Sequence, residues 1–335
     1  MIDKPKAITS IDCTGEFSLV DLQEVFASDS PVKLKGLVSE WPAVKAARGS
    51  AEELFSYLKQ FDAHLPLTVY SGRDPDEPKI GYNADFSGYT FDRGVAQLEK
   101  ILKQLAIGQE RALYIGSSLV DHWLPGFRSS NDIDLGVVKP TVNFWLGNET
   151  TIAAHNDSPD NIACCVSGKR RFTLFPPEQI KNLYLGPVDQ TPSGRPISLV
   201  DFDCPDLQRF PGFSEALNQS LECVLEPGDA IYIPSLWWHH VKGVDKVNML
   251  VNYWWRKVPE YKGSPDLALE HAILALRGLP ESQRKAWRAM FDYYVFGEEA
   301  KAQDHIPDGV RGVLDPKNER AARLGWLNFS KKLNR

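Results

Sequence analysis

The chain has 335 residues, 43% of them hydrophobic and 24% charged, with a formal net charge of −6. That balance excludes a mainly disordered or fibrous protein, and the length allows one large domain or two. The slight acidic excess offers no general attraction to phosphate backbones, and no run approaches the roughly 18 uninterrupted apolar residues of a membrane span.

Neither nucleic acid nor membrane is therefore an expected partner. The opening Met1-Ile2-Asp3-Lys4-Pro5 lacks the apolar core of a secretory signal. Cys13, Cys164, Cys165, Cys204 and Cys223 are odd in number and contain no CxxC pair. They read as buried free thiols in a reducing compartment, which makes the cytoplasm the expected location.

The N-terminal region, 1–110, reads as mixed α/β elements. Ser50-Ala51-Glu52-Glu53 has the form of a capping box, followed by Leu54, Tyr57, Leu58 and Phe61 on one helical face. Val95, Leu98, Leu102 and Leu105 predict a second helix near 91–107, and the polar, Pro-bearing Gly72–Asp76 predicts a surface loop.

From 111 to 258 the period changes. Ala112–Ile115, Thr141–Leu146, Asn161–Val166, Arg171–Phe175, Glu222–Leu225, Ala230–Ile233 and Val247–Trp254 are short β-branched and aromatic runs punctuated by Gly and Pro. Many short strands without intervening helices predict an antiparallel sandwich or barrel. A polar insert at about 183–215 is long enough to cover one mouth of it. Beyond it, 259–335 reads as helical: Ser264-Pro265 opens one helix to about Arg277, and Pro280 opens another with Trp287, Met290, Phe291 and Tyr294 on one stripe.

His155-Asn156-Asp157 follows the strand-like Thr150–Ala154. In an extended segment residues i and i+2 share a face, so His155 and Asp157 can grip one ion together. His239, in Trp237-Trp238-His239-His240, is the candidate third ligand. Two imidazoles and a carboxylate form the facial triad of non-haem Fe(II) oxygenases, with positions left for a cosubstrate and O₂.

Three stretches carry a resemblance: HNDSPDNIACCVSGKRRFTLFPPEQ at 155–179, PGDAIYIPSLWWHHVKGV at 227–244 and NMLVNYWW at 248–255, with weaker similarity over most of 30–255. In their order and spacing the chain resembles the cupin-type Jumonji-C (JmjC) family of Fe(II)- and 2-oxoglutarate-dependent oxygenases. More narrowly, it is similar to the bacterial cupin-like proteins related to the asparaginyl hydroxylase of hypoxia-inducible factor.

The resemblance implies a mainly β fold, a double-stranded β-helix (jelly-roll) barrel with N-terminal mixed elements and C-terminal helices. It implies His155, Asp157 and His239 as metal ligands, with His240 on the opposite face of its strand. Asn161 and Asn252 match positions that contact the cosubstrate or support the metal, and Tyr114 matches a tyrosine bonded to the distal carboxylate of 2-oxoglutarate. Two positions depart from the pattern. Arg170 stands where relatives carry a lysine for that carboxylate; its bland alternative is a solvated charge in Lys169-Arg170-Arg171. Ile152 stands where they carry a threonine, and a local slip would bring Thr151 into its place.

The implied activity is hydroxylation of a protein or peptide side chain, with release of succinate and CO₂. N-methyl-lysine or -arginine demethylation by the same chemistry and a non-catalytic metal- or small-ligand-binding cupin are the alternatives. A small-molecule substrate is compatible with the same site, and a homodimer through the C-terminal helices is expected.

Overall fold

The computed structural model describes residues 5–15, 17–74, 78–108, 111–136, 139–298 and 302–333. They divide into two compact units, Met1–Trp255 and Arg256–Arg335. The strands are β1 (Lys6–Ala7), β2 (Thr9–Asp12), β3 (Val32–Lys35), β4 (Leu67–Gly72), β5 (Lys79–Ile80), β6 (Phe91–Ala96), β7 (Leu113–Leu119) and β8 (Thr141–Gly147). They continue as β9 (Thr151–His155), β10 (Asp160–Ser167), β11 (Arg170–Phe175), β12 (Leu221–Leu225), β13 (Ala230–Ile233), β14 (Trp238–Gly243) and β15 (Asn248–Trp255).

Among the described residues these strands form two sheets, ordered β1-β12-β11-β14-β9-β5 and β2-β3-β13-β10-β15-β8-β7-β4-β6. From β8 to β15 the chain passes between them in the order large, small, large, small, small, large, small, large. That is the eight-stranded jelly roll expected from the run of short strands. Its helices are α1 (Leu19–Phe26), α2 (Pro42–Gly49), α3 (Ala51–Lys59), α4 (Leu98–Ile107), α5 (Val120–Trp123) and α6 (Phe213–Asn218).

Alternation along the strands sorts side chains into layers. On β10, Ile162, Cys164 and Val166 point out of the barrel and pack with Leu54, Leu58, Leu98 and Leu102 of α3 and α4. Ala163 and Cys165 point inward, against Phe172 and Leu174 of β11 and Leu250 of β15. Outside the small sheet, Phe175 and Trp238 pack with Leu183, Val200, Phe210 and Phe213, so the 183–215 insert has a core of its own. All five cysteines are free. Cys13, Cys164 and Cys165 are buried as expected, but Cys204 is exposed on that insert and Cys223 is half-buried.

The N-terminal elements correct two expectations. The helix expected over 91–107 is a strand followed by a helix, β6 and then α4. Gly94 weakens a helix here, and β6 instead satisfies its backbone along the whole of β4, leaving Val95 73% exposed at the sheet edge. At Ser50 half of the capping box forms. The Ser50 hydroxyl accepts from the Glu53 N–H at 3.1 Å, but the Ser50 N–H already donates to Ala46 O and closes α2. Met1–Lys4 of the opening segment and Pro75–Asp76 of the expected loop lie outside the described residues.

The second unit contains α7 (Pro265–Leu276), α8 (Glu281–Phe291) and α9 (Glu319–Leu333). The Ser264 hydroxyl caps α7 by accepting from the Asp266 N–H. Among the described residues no helix is long and apolar enough to cross a membrane.

Leu174 is fully buried inside the barrel and lies opposite His239 in the ladder. Leu174→Ala is expected to lower stability by about 2–5 kcal/mol in urea titration of the metal-free protein, the range for a core leucine whose cavity cannot fully collapse.

Candidate metal centre

One end of the barrel opens into a cavity of about 430 Å³ that contains all seven residues singled out from sequence, His155, Asp157, His239, Tyr114, Asn161, Arg170 and Asn252. The ligand atoms of His155, Asp157 and His239 lie within 4.8 Å of one another, and His239 Nε2 is 3.6 Å from Asp157 Oδ2.

Local backbone structure aims these groups. His155 Nδ1 lies 2.9 Å from Ala153 O, and His239 Nδ1 lies 3.1 Å from Trp237 O. A carbonyl only accepts, so each Nδ1 carries the proton and each Nε2 keeps its lone pair for the centre. Burial, reinforced by His155, lowers the His239 pKa to about 4, which keeps this imidazole neutral near pH 7. The three donors can therefore hold a divalent metal ion, iron included.

A bulge completes the aim. His239 pairs with His155, but Val241 pairs with Ile152, so β9 carries one extra residue between them. Three positions apart, Ile152 and His155 would face opposite ways on a regular strand; with the extra residue both line the cavity. The ladder does slip, yet it presents Ile152 and leaves Thr151 out of the lining, contrary to the expectation that Thr151 would take the threonine position.

Arg170 is 4% exposed and is not part of a solvated basic run. Its guanidinium lies beside Tyr114 and donates to Asn248 O at 3.4 Å. Its Nε is buried without a hydrogen-bond partner, and no carboxylate pairs with it among the described residues. Burial raises the Tyr114 pKa, with Arg170 offsetting part of that effect, so the phenol keeps its proton. Tyr114 approaches because Gly147 stands opposite it: a Cβ at Gly147 would lie 2.5 Å from Leu113 O.

Asn161 and Asn252 are both buried and bonded to each other, Asn252 Nδ2 donating to Asn161 Oδ1 at 3.3 Å. Trp145 Nε1 donates to Asn252 Oδ1 at 2.8 Å, which fixes that amide. Sequence reading missed Trp145, although its alternation with Phe144 and Leu146 on β8 marks it as inward-facing. It also missed Arg195 of the insert, whose guanidinium donates to Asn156. Of the four tryptophans flanking the motifs, Trp254 lines the cavity while Trp237, Trp238 and Trp255 are wall and core.

His240 points out of the cavity and stacks on Phe202, with ring centroids 4.4 Å apart. Burial lowers its pKa to about 4 as well. Between pH 6.5 and 4 the unfolded chain therefore binds protons that the folded chain refuses, and folding stability falls as pH falls. Each such histidine contributes about 1.4 kcal/mol per pH unit across that window. In the metal-free protein, His240→Phe is expected to remove one of the two contributions. The stability difference between variant and parent should thus be constant above pH 7 and shift toward the variant on acidification to pH 4. Denaturant titrations at a series of pH values measure it.

Residues 18–261 match the cupin-like domain family. Over 268 residues the chain is 34% identical to lysine-specific demethylase 8 of Danio rerio, covering 73% of this chain and 61% of that protein. Against lysine-specific demethylase 8 of Xenopus tropicalis it is 25% identical over 265 residues, 76% of this chain and 54% of the other. A shorter match, 32% over 139 residues, joins it to the human bifunctional peptidase and (3S)-lysyl hydroxylase JMJD7, covering 36% of this chain and 43% of that protein. The chain thus spans about half the length of the curated relatives it matches. The fold and the matched span place it in the cupin-like domain family.

Proposed function

We propose that this chain is an Fe(II)- and 2-oxoglutarate-dependent dioxygenase that hydroxylates a protein or peptide side chain. The observation that carries the reading is the pairing, in one cavity, of a two-histidine, one-carboxylate cluster with a buried arginine that has no carboxylate partner among the described residues. A buried cation is costly unless an anion meets it, and a dicarboxylate whose other end reaches the metal meets both requirements. The cavity volume suits a cosubstrate of that size together with part of a substrate.

Bound there, Fe(II) with 2-oxoglutarate supplies the oxidising power by which O₂ delivers one oxygen to a substrate C–H and the other to succinate, with loss of CO₂. His155 and His239 would hold the iron through Nε2, and Asp157 through a carboxylate oxygen. Arg170 would bind the distal carboxylate of the cosubstrate through its free Nε–H, with the protonated Tyr114 hydroxyl as second donor. Asn161 and Asn252, locked to each other and to Trp145, would present fixed amides to the metal-bound end. Ile152, Phe172 and Leu250 make the inner wall apolar.

The relatives named for lysine demethylation and lysyl hydroxylation support a protein or peptide substrate. The net charge of −6 favours that class over nucleic acid. Five free thiols suit the cytoplasm. For the second unit we propose a homodimer interface, because Leu274, Trp287, Met290, Tyr294 and Phe296 are each between 45% and 86% exposed.

Incubated with Fe(II) and 2-oxoglutarate, the protein is expected to form succinate, and to form none when iron is withheld; equal yields would refute the reading. Arg170→Ala removes a charge-assisted contact of about 1.5–3 kcal/mol and is expected to raise the apparent KM for 2-oxoglutarate by about 10–150-fold. Light scattering at micromolar concentration should report twice the 37.6 kDa chain mass; a particle of the monomer mass would exclude the dimer.

A further inference from the structure

The tip of the 183–215 insert, Pro192 to Arg195, forms part of the cavity lining. Its two sides are anchored separately. Tyr82 and Tyr89 donate their hydroxyls to Gln190 O at 2.5 Å and Thr191 O at 3.0 Å, and Ser198 N–H donates to Ala154 O at 2.7 Å, next to His155. Between these anchors Arg195 reaches across to the loop that carries the metal-binding motif. Its Nε–H donates to Asn156 O at 2.7 Å and an Nη2–H donates to Asn156 Oδ1 at 2.9 Å.

Asn156 sits between His155 and Asp157, and the same loop is tied from its other side. Leu236 N–H donates to Asp157 O at 2.8 Å, and Asn156 Nδ2 donates to Leu236 O at 3.4 Å. Leu236 itself holds a left-handed φ of 65°, a conformation that a leucine keeps only when its surroundings impose it. The loop is thus gripped by the His239-bearing segment on one side and by a guanidinium fork from the insert on the other.

We infer that Arg195 is a positioning residue for the metal centre: by clamping Asn156 it fixes the direction of the Asp157 carboxylate and couples the seating of the insert to metal affinity. The inference rests on the metal-site reading above. Asp157 lies beyond the end of β9, so the ladder that orients His155 does not orient it. Partners that hold a metal ligand in place commonly alter affinity by about 10–100-fold when removed.

Charge and positioning predict opposite signs. The Arg195 guanidinium rests on Asn156, between two of the three candidate ligands and in the same cavity, where a cation repels a divalent ion. If Arg195 acted through charge alone, removing it would tighten metal binding. As a clamp, its loss weakens binding.

The test is Mn(II) affinity of the full chain, read by the EPR signal of the free aqua ion, with no turnover required. Arg195→Ala is expected to weaken binding by about tenfold or more. Arg195→Lys, which keeps the charge and loses the fork, should fall on the same side. Unchanged or tighter binding in Arg195→Ala, or full affinity in Arg195→Lys, overturns the inference. A second measurement needs no variant. Because coupling is reciprocal, Mn(II) should slow backbone hydrogen exchange at 191–195 in the unaltered protein, and exchange there indifferent to Mn(II) overturns it equally. An unaltered protein that binds no Mn(II) removes the metal-site reading itself, whereas binding that Arg195→Ala leaves intact removes this inference alone.

Discussion

The central strands of the large sheet are buried on both faces, and most of the site follows from that constraint. On β10 and β15 one face is committed to the helical layer and the other to the barrel interior. A polar side chain on the inner face has no route to bulk water and must find a partner there or await one. Asn161 and Asn252 solve the problem by bonding to each other and to Trp145. Arg170, on the neighbouring sheet, solves it in part through Tyr114 and Asn248 and keeps one donor open. Arg170 Nε and Trp254 Nε1, both on the cavity wall, are left without partners among the described residues, beside an amide pair that is already bonded.

The barrel was legible in the sequence because its strands obey local rules. The β-branched and aromatic runs from Thr141 to Trp255 are bounded by Gly and Pro, and the strand ends lie within a few residues of the pattern breaks. The pairing of His155 with Asp157 was readable from their two-residue spacing, although Asp157 lies past the end of β9 and reaches the cavity from its loop. What stayed hidden depends on partners distant in sequence. Strand β6 contains Asp92, Arg93 and Gly94, looks nothing like a strand in isolation, and exists because β4 supplies its hydrogen bonds. The apolar spacing from Val95 to Leu105 then read as one helix across a real boundary.

The positions of Thr151 and Arg195 show a finer limit. Which of Thr151 and Ile152 faces the cavity depends on an extra residue in the pairing of β9 with β14, and a ladder irregularity leaves no trace in composition. Arg195 sits in a stretch of Pro, Ser and Gly that reads as a plain loop, and its role appears only when the fold brings it onto Asn156. Residues placed by their own strand could be read directly; those whose place depends on another segment could not.

The β9 bulge also bears on what a change of length there would do. Excising one alanine from Ala153-Ala154 would leave Ile152 and His155 two positions apart, and on an even ladder with β14 both would still face the cavity. A shortened β9 in a related chain would therefore be no sign that its histidine had been turned away from the cavity.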